Sequence, residues 1–256
     1  TKWFDTNYHY IVPEWHADTQ FSAHPDRIIA QIREAQAQGY AVKPTLVGPL
    51  TLLWLGKKKE DFGCRIKTLM PKLLPVYQQL LQAIADAGVE YVQIDEPILA
   101  ADAGKPWLEA FPSTYQALAQ TPVRIILGTY FASVAEHAAL LNSLPISGVH
   151  IDCVRAPEQL AVFVEKLSSD KILSAGVIDG RNVWRANLRQ VIANLQAAKA
   201  KFGDNLWIAP SCSLLHSPQD LALEEKLDPE IKSWMAFAAQ KLVELGNIKQ
   251  ALQQGE

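Results

Sequence analysis

The chain of 256 residues lacks any apolar run near the roughly 20 residues that a membrane span needs. It also lacks the pattern of a secretory leader. Cysteine is scarce: Cys64, Cys153 and Cys212 make an odd count without framework spacing, which argues against a disulfide scaffold and for a reducing, cytoplasmic compartment. Excess charge of one sign is missing too. A net charge of −3 gives no electrostatic case for nucleic acid or an anionic membrane. The one basic run, Lys57-Lys58-Lys59, meets Glu60 and Asp61 at once and reads as a solvated loop. No G-x-G-x-x-G or Walker word occurs, which weakens the case for a doubly wound nucleotide-binding sheet. There is no linker, low-complexity tract or short repeat.

What is present is a hydrophobic fraction of 49%, enough for one barrel-sized core. Near-continuous apolar runs recur at residues 8–12, 41–47, 89–94, 123–127, 148–151, 172–178 and 206–208. Such runs suit strands covered on both faces. Amphipathic stretches at residues 25–38, 66–87, 107–119, 134–142, 157–167, 183–201 and 230–253 separate or follow them, the last introduced by Asp228-Pro229 as N-cap and first helical residue. This alternation predicts a parallel α/β fold. Seven strands are one short of a (β/α)8 TIM-type barrel, so the expectation is a single domain over residues 1–256, incomplete by its first strand. Thr1 instead of an initiator Met, and a polar C-terminal helix, suggest that both ends are cut from something longer.

The sharpest word is Tyr91-Val92-Gln93-Ile94-Asp95-Glu96-Pro97, an apolar strand running into two carboxylates and a proline that ends it. The C-terminal edge of a parallel strand is where such folds bind ligands. Side chains alternate, so Gln93 and Asp95 share one face and Ile94 and Glu96 the other. Asp95 is the better ligand candidate; either acid could instead tie down a loop through backbone N–H groups. His150-Ile151-Asp152-Cys153 repeats the pattern, with Asp152 at a strand end, His150 as a hydrogen-bonded core histidine and Cys153 as a small buried hydrophobe. Cys212 and His216 could reach one Zn²⁺, but a lone C-x3-H pair is a weak signal. Asp179-Gly180-Arg181-Asn182 is a strand-end turn whose exposed Arg could bind a carboxylate or phosphate, or whose Asp could cap the following helix. The aromatic and polar N-terminus, residues 2–10, could stack on a flat or charged ligand or serve as a packing anchor.

Together these words resemble the cobalamin-independent methionine synthase family, the 5-methyltetrahydropteroyltriglutamate–homocysteine methyltransferases. The matching segments are Thr1-Lys2-Trp3-Phe4-Asp5-Thr6-Asn7-Tyr8-His9-Tyr10, Val47-Gly48-Pro49, Val92-Gln93-Ile94-Asp95-Glu96-Pro97, Gly128-Thr129-Tyr130-Phe131, Asp179-Gly180-Arg181-Asn182-Val183-Trp184-Arg185 and Ser211-Cys212-Ser213-Leu214-Leu215-His216. They stand in family order. The resemblance implies most of the N-terminal of two related barrels, with zinc and homocysteine held by a C-terminal catalytic barrel. It implies that Lys2 contacts the polyglutamate of the folate substrate. It implies that Asp152 and Cys212 sit at degenerate ligand positions, so that no zinc is expected in this chain, and that Asp95 marks a vestigial ligand site. The intact protein would form methionine from 5-methyltetrahydrofolate polyglutamate and homocysteine in the cytoplasm, and this fragment alone would be inactive. The rival expectation is a stand-alone barrel module that binds a small anionic ligand without catalysis.

Overall fold

A computed structural model describes residues 1–254. The chain folds as two compact units. The first comprises Thr1, His9–Thr129 and Leu140–Val149; the second comprises Lys2–Tyr8, Tyr130–Ala139 and the chain from His150 on.

In the first unit a two-residue strand β1 (Glu14–Trp15) precedes helix α1 (Asp26–Ala37), strand β2 (Thr45–Val47) and helix α2 (Pro49–Leu55). Then come β3 (Lys57–Lys58), the long helix α3 (Arg65–Asp86), β4 (Tyr91–Asp95), α4 (Lys105–Leu108), α5 (Phe111–Leu118) and β5 (Arg124–Gly128). Strands β2, β4 and β5 are neighbours in that order and all parallel, with Leu46 opposite Ile94 and Ile94 opposite Leu127. Val92, Ile94, Ile126 and Leu127 of the strands are buried, as are Leu50, Leu53, Leu73 and Leu81 of the helices. Pro71 and Pro75 lie inside α3, four residues apart on its exposed face, where they leave the buried stripe Leu69, Leu73, Tyr77 and Leu81 intact.

Helix α6 (Ala138–Ser143) and strand β6 (Gly148–Asp152) follow. The second unit adds α7 (Gln159–Lys166), β7 (Ile172–Ile178), α8 (Leu188–Phe202), β8 (Leu206–Pro210), α9 (Pro229–Ser233) and α10 (Ala238–Gln254). Strands β7 and β8 are parallel, with a register shift between Gly176 and Ile178. The Cys153 N–H donates to the Gly176 carbonyl at 2.9 Å, which ties the end of β6 to β7. Buried Lys241 of α10 donates to Asn182 Oδ1 at 2.9 Å and to the Trp184 carbonyl at 3.2 Å.

Six of the seven expected strands form, and the fold is the parallel α/β type that the alternation predicts. The strand expected over residues 8–12 does not. Tyr8 is 61% and Ile11 96% exposed, so β-branched and aromatic residues there have no buried face to occupy. The lysine run is not a free loop: Lys57 and Lys58 pair with Glu14 and Trp15, and Lys59 forms an ion pair with Glu14 at 3.0 Å. Two expected helices are broken. Residues 107–119 divide into α4 and α5, each with a proline in its first turn. Residues 230–253 divide into α9 and α10, because Met235 bridges Trp184 and the Ala236 N–H donates to the Val183 carbonyl at 2.8 Å. The same pairing keeps residues 183–187 out of α8, which starts behind an Asn187 cap on the Gln190 N–H. The Asp228 cap of α9 forms as expected, accepting from the N–H groups of Glu230 and Ile231.

Candidate functional site

Chemistry-bearing residues gather in one cluster in each unit. In the first, alternation along β4 works as read: Val92 and Ile94 are buried, while Gln93 and Asp95 occupy the other face. Gln93 Nε2 donates to Asp95 Oδ1 at 2.7 Å, and the Lys43 ammonium donates to Gln93 Oε1. A cation, an amide and a carboxylate thus stand in line. A Cβ at Gly128 would meet the Asp95 carboxylate, so glycine on the adjacent strand leaves room for that side chain as it stands.

Glu96 belongs to the opposite face and does something else. It is fully buried and accepts from the N–H groups of Leu50 and Thr51 at 3.2 and 2.7 Å, in the first turn of α2. The Tyr115 hydroxyl donates to it at 3.4 Å. Burial pushes its carboxyl up to about 7, against these donors, which favour the charge. Of the two readings open for Glu96, tying down the backbone is the one that the geometry carries.

The second cluster surrounds a cleft of about 580 Å³ lined by Lys2, Phe4, Asp5, Thr6, Asn7, Tyr8, Arg181, Leu215 and His216. Arg181 is not exposed as read; its side chain is 17% accessible and its guanidinium lies 5.0 Å from the centroid of the Phe131 ring. Phe131 also meets His216 edge to face at 6.2 Å, and burial lowers the His216 imidazole, favouring its neutral form. Phe131 has φ of +80°, a left-handed conformation unusual for a bulky residue. Asp152 holds it there: Oδ2 accepts from the Phe131 N–H at 3.0 Å, while Oδ1 accepts from Val154 and Arg155 at 3.0 and 2.9 Å. Asp179 closes the other turn, accepting from the Arg181 N–H at 2.8 Å and from Asn182 Nδ2 at 2.9 Å.

His150 is a core histidine, bonded to Ser174 Oγ at 3.0 Å and to the Ser211 carbonyl at 3.3 Å. Cys153 and Cys212 are thiols whose ionisation burial pushes up to about 12. Cys212 packs on Gly180, where a Cβ would come within 2.7 Å of the Cys212 carbonyl oxygen. These residues do not fit the zinc that the resemblance implies for the intact protein. Both Asp152 oxygens already accept backbone bonds, the Cys212 thiolate is disfavoured, and no group of three or more His, Cys, Asp or Glu side chains suited to a metal occurs among the described residues.

The residues missed in the sequence are Asp5, Phe131 and Arg155. Asp5 Oδ2 accepts from Arg155 Nη2 at 2.8 Å and from Arg181 Nη2 at 3.1 Å. Partners 150 and 176 positions apart leave no local signal.

Three comparisons bear on this architecture. Residues 1–203 match the family model described as cobalamin-independent synthase, N-terminal domain. The chain is 56% identical over 258 residues to the 5-methyltetrahydropteroyltriglutamate–homocysteine methyltransferase of Neisseria meningitidis serogroup B, and 55% identical over 259 residues to that of Pasteurella multocida. Each alignment covers all of this chain and 34% of the relative, so the chain spans about a third of the length of these relatives. Among solved structures it resembles a B12-independent methionine synthase from Shewanella sp. W3-18-1, with TM-score 0.65 at 15% identity, covering 93% of this chain and 69% of that one. A putative vitamin-B12 independent methionine synthase from Listeria monocytogenes gives TM-score 0.58 at 20% identity, covering 90% and 71%. At these identities the structures speak for the fold alone, a parallel α/β fold of TIM-barrel type.

Proposed function

The chain belongs to the cobalamin-independent synthase family, within which it matches the N-terminal domain, and from that premise we propose that it serves a methyltransferase. On this reading, residues 1–256 are most of the first of two barrels in a cytoplasmic protein. That protein moves a methyl group from 5-methyltetrahydropteroyltriglutamate to homocysteine and so forms methionine. This chain contributes scaffold and part of the folate surface; homocysteine, zinc and the methyl transfer itself belong to the C-terminal catalytic barrel beyond it. Asp95 is then a vestigial ligand position whose carboxylate serves the Gln93 and Lys43 line instead.

The observation that carries the reading is the cleft around Lys2. A triglutamate tail is polyanionic, and Lys2 and Arg181 line the cleft together with Phe4, Asp5 and Tyr8. Lysine suits the role as a mobile point charge for carboxylates. Equilibrium binding tests it. The triglutamate form of 5-methyltetrahydrofolate is expected to bind this chain more tightly than the monoglutamate. Lys2→Gln is expected to weaken the triglutamate roughly fivefold, the upper range for one partly exposed ion pair, with little effect on the monoglutamate. Equal affinities for the two forms, unchanged by Lys2→Gln, would overturn it.

A further inference from the structure

Asp5 is held by two arginines. Two guanidinium groups from different turns converge on its Oδ2, Arg155 at 2.8 Å and Arg181 at 3.1 Å, and Arg181 Nη1 donates as well to the Asp5 carbonyl. Both turns are fixed independently of Asp5. The backbone at Arg155 is held by Asp152 Oδ1 and that at Arg181 by Asp179 Oδ1, while the Arg181 guanidinium lies against the Phe131 ring. The cationic pair is therefore built into the unit, and Arg181 lines the cleft. Planar guanidinium groups suit carboxylates better than any other anion-binding side chain.

The carboxylate that fills this pair is the more exposed partner. The Asp5 side chain is 69% accessible, and it rides on the N-terminal segment Lys2–Tyr8, a turn closed on itself. The Trp3 N–H donates to the Tyr8 carbonyl at 2.7 Å, the Thr6 hydroxyl to the Trp3 carbonyl at 2.6 Å and the Tyr8 N–H to Thr6 Oγ1 at 3.1 Å. Phe4, next to Asp5, has φ of +43°, a strained conformation for a side chain of its size. Replacing one carboxylate by another on the same two guanidiniums keeps the same charge-assisted hydrogen bonds.

We propose that Arg155 and Arg181 form a carboxylate subsite that Asp5 occupies as an internal stand-in, and that a glutamyl carboxylate of the folate tail displaces it. The inference rests on the folate reading above and deepens it. It assigns the tail a second anchor beside Lys2 and makes the Lys2–Tyr8 segment a competitor that the tail must exchange.

The test is binding of 5-methyltetrahydrofolate triglutamate to this chain and to its D5N and R181Q variants, each checked for native far-UV and near-UV circular dichroism. Asparagine keeps the size of Asp5 and removes the competing charge. D5N is expected to bind the triglutamate about fivefold more tightly than the parent chain, and R181Q about fivefold more weakly, these being the upper range for one partly exposed charge pair. Affinity unchanged or lowered in D5N overturns the exchange while leaving the folate reading intact. Failure of every form to bind overturns both. A crystal structure of the parent chain with the triglutamate gives the answer without any variant: a ligand carboxylate on Arg155 and Arg181 with Asp5 released supports the exchange, and Asp5 still on both guanidiniums overturns it.

Discussion

Asp152 shows how much of a site one residue can carry without touching a ligand. Its carboxylate satisfies three backbone N–H groups, among them that of Phe131 in a left-handed conformation. Phe131 in turn supports Arg181 and His216. Asp152→Asn puts an amide donor against one of those N–H donors and is expected to destabilise the chain by about 1–3 kcal/mol, the cost of leaving a buried donor unpaired. Urea unfolding measures this, and an unchanged midpoint would remove Asp152 from its positioning role. The strand-end place of Asp152 was legible, because period-2 alternation puts His150 and Asp152 on one face. Its partners were not, since a carboxylate offered to three N–H groups and one offered to a metal have the same sequence. In this chain Asp152 is a backbone clamp. Cys153, read as a small buried hydrophobe, is half-buried at the strand end, its thiol pushed towards the neutral form by burial.

At the scale of the element, the turn from β4 and the start of α2 form one device. Glu96 accepts from the first N–H groups of α2, and a side chain at Gly48 would collide with it. The Glu96 carboxyl stands at about 7 in the folded chain against an ordinary value of 4.5. Between these values the folded chain holds a proton that the unfolded chain has lost. Stability therefore falls as pH rises through that window and levels off above it. Glu96→Gln removes the titration. The parent chain is expected to lose roughly 3 kcal/mol relative to that variant between pH 4.5 and 7, read from urea unfolding at several pH values. A difference between the two that does not change with pH would refute the assignment. The strands were the legible part of the fold because burial on both faces leaves a continuous apolar run. Helix boundaries were less so. Pro112 restarts a helix inside one amphipathic stretch, and Met235 is drawn into a bridge with Trp184, a contact 51 positions away that no local pattern announces.

For the whole molecule, the ordered family words were the strongest evidence the sequence held, and they reach beyond residue 203, where the family match ends, to the turn carrying Cys212 and His216. They could not show how distant segments meet. The Asp5, Arg155 and Arg181 cluster exists only because the chain brings residue 5 back to residues 155 and 181. Among the described residues no helix is long and apolar enough to cross a membrane. The donor set around Asp152 and Cys212 makes a firm demand on metal chemistry. Zinc binding at Cys212 must remove a proton from a thiol whose ionisation is pushed up to about 12, and at Asp152 it must displace the backbone donors that the carboxylate now satisfies. Structural zinc sites draw roughly 10–16 kcal/mol from such ligands; two compromised donors fall far short. Zinc titrated against this chain at neutral pH is expected to bind more weakly than about 1 μM, a free energy of roughly 8 kcal/mol. In a single-turnover assay with zinc, homocysteine and 5-methyltetrahydrofolate triglutamate the chain alone is expected to form no methionine above the uncatalysed background. One tightly bound zinc per chain, or methionine formed at the chain's own concentration, would move the catalytic centre into this domain and overturn its reading as scaffold and folate surface.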